Sequence, residues 1–470
     1  MSEIQLQQNT QTSGFDLANI QTSTRNLLLL GVPIVIGLLT RTGLGVVDSI
    51  TVGNLSSTHL AAIGLGSALW LTLFYIVTGI LMMASPIIGY RSAYSDNTDP
   101  VTQSMRQYLW TGLFLGIAML VVLRNAGPIL SALNLDSEVS VICSEYLQTV
   151  SWGMPFACLF YALRYCSEGL ELVKVPMWIG LAGFIVNIPL NYWFVYGGMG
   201  VPELGAVGTG YATTLVFTLM FLLMTSYFVF SKDLSKYRVF SSISAPSKEG
   251  QTLIFSKGTP VGTSIFMESA VFSLMIFLAG SMGVAAIAGH QIAINIVGLT
   301  FVIPLGLSFA ISIKVSQALG QGDKTGAQNY LYAGLFLCVA AALVFIALIG
   351  LFRENMAAIY TDNQTVIHLA SSLLLLAALF QVGDSIQASL AGALRGYQDT
   401  TVPMIIVCGS YWLIALPLAW VLGLTDWVVS AQGVVGLWIG LLAGISVVAV
   451  ALFWRYRYIV RHSMEPEAAS

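Results

Sequence analysis

Charge is what this sequence lacks. Only 9% of its 470 residues are Asp, Glu, Lys or Arg, against about a quarter in ordinary soluble domains. A water-soluble protein of this size needs a charged skin that these residues cannot supply, so the apolar surface must face lipid. Cysteine is also sparse. Cys143, Cys158, Cys166, Cys338 and Cys408 lie in or beside apolar runs and form no CxxC pair, which argues against a metal site or disulfide framework and leaves small buried hydrophobes. The first 24 residues carry no basic side chain, so they do not make a secretory signal peptide. The first spanning helix is expected to serve as an uncleaved insertion signal. No basic stripe or acidic block marks a nucleic-acid surface.

Long apolar runs are what the sequence has in abundance. A helix crossing the hydrocarbon core needs about 20 mainly apolar residues. Twelve stretches meet this: Leu27–Ile50, Leu60–Ala84, Tyr108–Leu123, Tyr146–Leu163, Met177–Tyr196, Gly205–Phe230, Leu253–Leu278, Val284–Ile313, Asn329–Leu351, Val366–Leu390, Val402–Leu422 and Val434–Phe453. They are too long, and alternate too little, for a β-barrel. Lipid offers the backbone no hydrogen-bond partner, so the spans must be helical. Pro33, Pro155, Pro189, Pro260, Pro304 and Pro417 fall inside spans, where each would kink or soften its helix. Of 19 Lys and Arg residues, only Arg124 and Arg353 fall at odd-to-even boundaries, and Arg41 lies within a span. The positive-inside rule therefore puts both termini in the cytoplasm.

The two halves repeat. Gly31-Val32-Pro33 recurs as Gly258-Thr259-Pro260, Val175-Pro176-Met177 as Val402-Pro403-Met404, and Gly205-Ala206-Val207-Gly208 as Gly433-Val434-Val435-Gly436. Six such matches keep their order at shifts of 224–231, the mark of duplication. Six spans per copy give parallel repeats, each a six-helix bundle, and two such lobes can rock about a central cavity. The expected organisation is an N-terminal tail (1–25), an N-lobe (26–230), a cytoplasmic linker (231–251), a C-lobe (252–460) and a C-terminal tail (461–470).

Four charges lie well inside predicted spans: Arg41, Asp48, Glu268 and Asp384. A charge at mid-bilayer costs roughly 2.5–3.5 kcal/mol on insertion scales and marks function by default. Desolvation raises a carboxyl pKa while a bound cation or nearby Arg lowers it, so these acids suit cation or proton exchange. Glu268 and Asp384 together could hold one Na⁺, a hard ion preferring oxygen, or share a proton. Asn187 and Asn191, four apart on one helical face, either hydrogen-bond near Asp48 or act as interhelical glue. Trp70, Phe74, Phe156, Tyr161, Phe266 and Tyr411 are candidates for a drug cavity by stacking and cation–π contact, or else ordinary packing. His59 reads as interfacial and His290 as a packing or hydrogen-bonding group.

Four segments carry a resemblance. They are Gly45-Val46-Val47-Asp48 with Gly53, Val186-Asn187-Ile188-Pro189-Leu190-Asn191 continuing to Val195-Tyr196-Gly197, Ala288 to Asn295, and Gly392-Ala393-Leu394-Arg395-Gly396-Tyr397-Gln398-Asp399. Together they resemble the multidrug and toxic compound extrusion family, in its NorM-like branch, over nearly everything from Arg25 to the last span. The resemblance implies two six-helix bundles arranged as a V, with no cofactor and no enzymatic activity. It also implies antiport of Na⁺ or H⁺ against amphipathic, often cationic, compounds, with Asp48 in proton coupling and Glu268 and Asp384 at a second-lobe cation site. The chain departs from the family where Phe380 stands at a position often Tyr in Na⁺-coupled members, and where Arg41 replaces a usually uncharged residue. A bacterial inner membrane and a monomeric state are expected. A flippase for lipid-linked precursors or polysaccharide would need a strongly cationic cavity, and Arg41 is the one clearly intramembrane base in the sequence. An embedded enzyme would need a motif such as HExxH or a phosphate loop, and none is present.

Arg41 is two turns before Asp48 and, in the repeat shift, falls opposite Glu268. It is expected to pair with Glu268 or Asp384 when the lobes close. Arg41→Ala should change coupling or ion affinity, and ion-dependent uptake identical to the parent protein's would exclude the pairing.

Overall fold

The computed structural model describes residues 17–132, 136–198, 200–242 and 244–464. Among these residues the architecture is all-helical apart from one isolated bridge between Gly198 and Val201. The N-lobe comprises α1 (Leu17–Gly53), α2 (Ser57–Met82), α3 (Ala84–Tyr94), α4 (Asp99–Arg124), the short α5 (Gly127–Ala132), α6 (Ser137–Ser151), α7 (Met154–Gly169), α8 (Lys174–Tyr196) and α9 (Ala206–Phe230). A short helix, α10 (Lys232–Ser235), leads to the C-lobe. That lobe holds α11 (Lys248–Ser281), α12 (Val284–Gly320), α13 (Lys324–Ala358), α14 (Gln364–Gly396), α15 (Thr401–Ser410), α16 (Leu416–Leu424) and α17 (Val434–Met464).

Among the described residues, eleven helical stretches are long and apolar enough to cross a membrane. The fourth expected span, Tyr146–Leu163, is not one helix. It is α6 and α7, broken at Trp152-Gly153. Pro155, at the start of α7, cannot donate a backbone hydrogen bond, which favours a helix start there over a helix interior. The eleventh span is interrupted more gently. Tyr411–Ala415 is a π-helical turn between α15 and α16, and Pro417 follows at the start of α16. Proline's missing N–H and its clash with the carbonyl four residues back favour a widened turn just ahead of it. Pro33, Pro189, Pro260 and Pro304 all sit inside unbroken helices.

The ends of several segments differ from expectation. Helix α1 starts at Leu17, inside the expected N-terminal tail, α11 takes the last residues of the expected linker, and α17 runs on to Met464. Residues 1–16 and 465–470 of the two tails lie outside the described residues. All five cysteines are free, and all but Cys408 are buried.

The repeat is visible in the backbone. Gly205 and Gly433, at equivalent positions, adopt φ values of 54° and 58°, a region that favours glycine, and each precedes the last spanning helix of its lobe. Gly208 then lies against the carbonyl of Phe194, as Gly436 lies against that of Leu422. On α17, Gly436, Gly440 and Gly444 form one stripe against Leu422, Ala419 and Ala415, the small-residue packing that lets spanning helices approach closely.

The lobes meet through α2 against α11, α3 against α12, and α1 against α12 and α13. The closest approaches lie in the half of the bundle nearer the chain termini. There Gly79 meets the backbone of Gly262, and Gly306 meets Val35. Nearby, Lys314 pairs with Glu171 at 2.5 Å. Gln317 donates to the carbonyl of Gly169, and the rings of Tyr165 and Phe309 stack with centroids 6.0 Å apart.

A Cβ on Gly79 would fall 2.3 Å from the Gly262 Cα, while one on Gly64 of the same helix meets nothing within 4 Å. Overpacking costs typically 1–3 kcal/mol. Gly79→Ala should therefore lower the melting temperature of the purified protein, and Gly64→Ala should leave it unchanged or raise it. Equal behaviour of the two variants would contradict the close crossing.

Candidate functional site

Two acidic centres lie in separate lobes. In the N-lobe, Asp48 on α1 is 6% exposed and faces α8 and α9. Its Oδ1 accepts from Asn191 Nδ2 at 2.7 Å and from Asn187 Nδ2 at 3.4 Å, and its Oδ2 accepts from Thr213 Oγ1 at 3.3 Å. Asn191 Nδ2 also reaches Asn187 Oδ1 at 2.9 Å. Both asparagines are fully buried. Their four-residue spacing on α8 puts both amides on the face that meets α1. Both amides donate to Asp48, and the same bonds tie α8 to α1. Thr213, which completes the cage, escaped notice because a single threonine in an apolar helix carries no periodic signal.

In the C-lobe, Asp384 on α14 is 4% exposed and lies three residues before Gln387, whose amide reaches Glu268 on α11. Glu268 Oε1 accepts from Gln387 Nε2 and from the Tyr411 hydroxyl, each at 3.1 Å. Tyr411 is the first residue of the π-helical turn. A sequence reading proposes it as a drug-cavity ring. The structure places it fully buried with its hydroxyl on Glu268. Phe380, one turn before Asp384, is buried between Phe272 and Trp438. Phe380 brings no hydroxyl to these acids, and the one that reaches Glu268 comes from Tyr411 on the facing span. The donor set suits a hard monovalent cation: two carboxylates, the Tyr411 hydroxyl, and Gln387 Oε1, which is buried without a hydrogen-bond partner.

Among the described residues, Asp48, Glu268 and Asp384 form no ion pair. Arg41 instead lies over the rings of Phe74, Tyr75 and Tyr161, 5.4–5.7 Å from their centroids. Phe74 and Tyr161 are enclosed, Trp70 is buried and donates to the Tyr146 hydroxyl, and Phe156 and Phe266 are half-buried. His59 accepts from the backbone N–H of Ala206, fixing the start of α9. His290 is fully buried with its ring against Trp438.

Two bases besides Arg41 are enclosed within the helical packing. Arg164 and Glu168 on α7 form a buried ion pair of 2.6 Å, one turn apart. Arg395 on α14 donates to Ser308 Oγ at 2.9 Å and lies over Phe309. Ending the fourth span at Leu163 left Arg164 and Glu168 outside it, although the Arg-x-x-x-Glu spacing was there to read.

These two centres sit in a chain whose relatives are recognisable. The MatE family model matches residues 33–193 and again 260–421, one match in each lobe. A Multidrug resistance protein NorM of Aliivibrio fischeri is 37% identical over 436 residues, covering 93% of this chain and 95% of that protein. A NorM of Photobacterium profundum is 36% identical, covering 96% and 99% respectively. The eukaryotic MATE transporter AtDTX14 shares the fold at a TM-score of 0.84 and 19% identity, covering 95% of this chain and 99% of that one. The chain belongs to the MATE family, in its NorM-like branch, and is a multi-pass membrane transporter.

Tyr411→Phe removes one hydrogen bond to a charged acceptor and, by that arrangement, one oxygen facing the C-lobe acids. Such a bond contributes about 1.5–3 kcal/mol, and about 1.4 kcal/mol is tenfold in affinity. The concentration of coupling ion needed for half-maximal transport should rise about tenfold in reconstituted vesicles. An unchanged ion dependence would remove Tyr411 from the site.

Proposed function

We propose that this chain is a secondary active multidrug efflux transporter, exchanging Na⁺ or H⁺ for amphipathic, often cationic, organic compounds by alternating access. The observation that carries the reading is that Asp48 and Glu268 are met by amides and hydroxyls, that Asp384 is buried, and that none of the three has a fixed cationic partner among the described residues. A buried charge without a partner is costly. A mobile cation relieves that cost each time it binds and restores it each time it leaves.

Coupling follows if the ion binds one conformation more tightly than the other. One monovalent charge falling through 100 mV releases about 2.3 kcal/mol, and each ~1.4 kcal/mol supports a tenfold drug gradient. The lobes would be the rocking units, with closure at the terminal face and access from the other. The N-lobe acid would answer chiefly to protons, and the C-lobe pair to Na⁺ or a shared proton. Trp70, Phe74, Phe156, Tyr161 and Phe266 would meet drugs as the lobes separate. We place the protein in a bacterial inner membrane, as a monomer with both termini in the cytoplasm. A flippase of the same superfamily is disfavoured, because the two buried bases beyond Arg41 are engaged, Arg164 by Glu168 and Arg395 by Ser308.

The test is ethidium transport in everted membrane vesicles, with the lumen loaded separately with Na⁺ or with acid. One or both gradients should drive dye inward, and simultaneous neutralisation of Asp48, Glu268 and Asp384 should abolish it. Dye movement indifferent to both ions, or intact in the triple variant, would overturn the proposal.

A further inference from the structure

Cation exchange at the three acids leaves Arg41 without a role. Its guanidinium lies over the rings of Phe74, Tyr75 and Tyr161 and makes no hydrogen bond or ion pair among the described residues. The other enclosed bases are served, Arg164 by the Glu168 carboxylate and Arg395 by the Ser308 hydroxyl. Arg41 is half-buried, and its five N–H donors meet ring faces where an acceptor would satisfy them. An intramembrane base in that state calls for a partner.

The charge around it is also unbalanced. Gly37, four residues earlier on α1, lies against the Arg164 guanidinium, where a Cβ would fall 3.0 Å from Nη2. Arg41 and Arg164 thus come from α1 and α7 to one ring, that of Tyr161, each 5.7 Å from its centroid. Glu168 neutralises Arg164 alone. Asp48 is two turns beyond Arg41, about 10 Å along the helix axis, and its oxygens are taken by Asn187, Asn191 and Thr213. The aromatic wall beside Arg41 therefore carries excess positive charge. Phe74 and Tyr161 are enclosed with Arg41 against them, while Tyr75 is half-buried, so the ring left partly open stands next to the guanidinium. A cationic compound must displace Arg41 to use these faces. A planar anion can lie beside it and accept two parallel hydrogen bonds from its fork.

We propose, on the efflux reading above, that Arg41 is a specificity-determining residue through which the N-lobe binds aromatic carboxylates, adding organic anions and zwitterions to the compounds this transporter takes. The carboxylate would accept from Arg41, with the ligand's ring system against Tyr75.

Isothermal titration of the purified full-length protein with naphthalene-2-carboxylate and with naphthalen-2-ylmethylammonium, one ring system bearing opposite charges, tests this. The parent protein should bind the carboxylate about tenfold more tightly or better, the effect of hydrogen bonds between charged partners. Arg41→Gln should lose that advantage and bind the ammonium more tightly than the parent does, because the ring faces are vacated. Arg41→Lys keeps the charge without the fork and should fall between. Equal or reversed affinities in the parent protein would overturn the proposal, with no variant needing to fold. So would a carboxylate affinity in Arg41→Gln equal to the parent's. Ethidium transport in vesicles separates the two readings: ion-driven ethidium movement without a carboxylate preference refutes the anion site and leaves the efflux function standing, whereas a carboxylate preference that depends on Arg41 supports the site even where ethidium is not moved.

Discussion

Everything in this protein is arranged around carboxylates that have left water without gaining a permanent counter-ion. An apolar bundle gives a carboxylate no solvent, so each must find its donors on neighbouring helices. Asp48 finds them on α8 and α9, and Glu268 finds them on α14 and at the π-helical turn. Those donors are neutral. They orient the oxygens but leave the charge uncompensated, and this separates the three acids from Glu168, whose charge is met by Arg164. The two lobes thus hold one acid, Glu168, closed by a fixed partner and three, Asp48, Glu268 and Asp384, that have none among the described residues.

The helix geometry that serves these acids is local and traceable. Asn187 and Asn191 act together because four residues return the chain to the same face of α8. Tyr411 sits at the head of the one π-helical turn among the described residues, just ahead of a helix that starts with a proline. Such turns recur at functional sites because an extra residue shifts where a side chain points. The same residue type does different work elsewhere. Pro155 marks a full break between α6 and α7, whereas Pro33, Pro189, Pro260 and Pro304 leave their helices continuous.

Much of this was legible before any coordinates. Apolar length alone gives the spanning helices, and the recurrence of Gly205 as Gly433 points to a duplication that the backbone repeats in matching φ values. Isolated acids in apolar runs stand out against their surroundings, so Asp48, Glu268 and Asp384 could be named at once. What could not be read was partnership across long sequence distances. Nothing near position 411 announces that its hydroxyl meets Glu268, 143 residues away, and nothing near Thr213 ties it to Asp48. The Arg164–Glu168 pair was missed for a different reason. Helix ends are poorly marked in sequence, and a span stopped at Leu163, six residues before α7 ends at Gly169, left both members of a buried ion pair outside it.

The crossing of Gly79 and Gly262 has a mechanical consequence. Where two helices meet through side chains, knobs seated in holes must be lifted out before the helices can tilt, and each seat resists in turn. Where they meet backbone to backbone, as here, there is nothing to unseat. Such a contact behaves as a smooth bearing: it keeps the two halves of the molecule in touch while adding little resistance to a change in the angle between them.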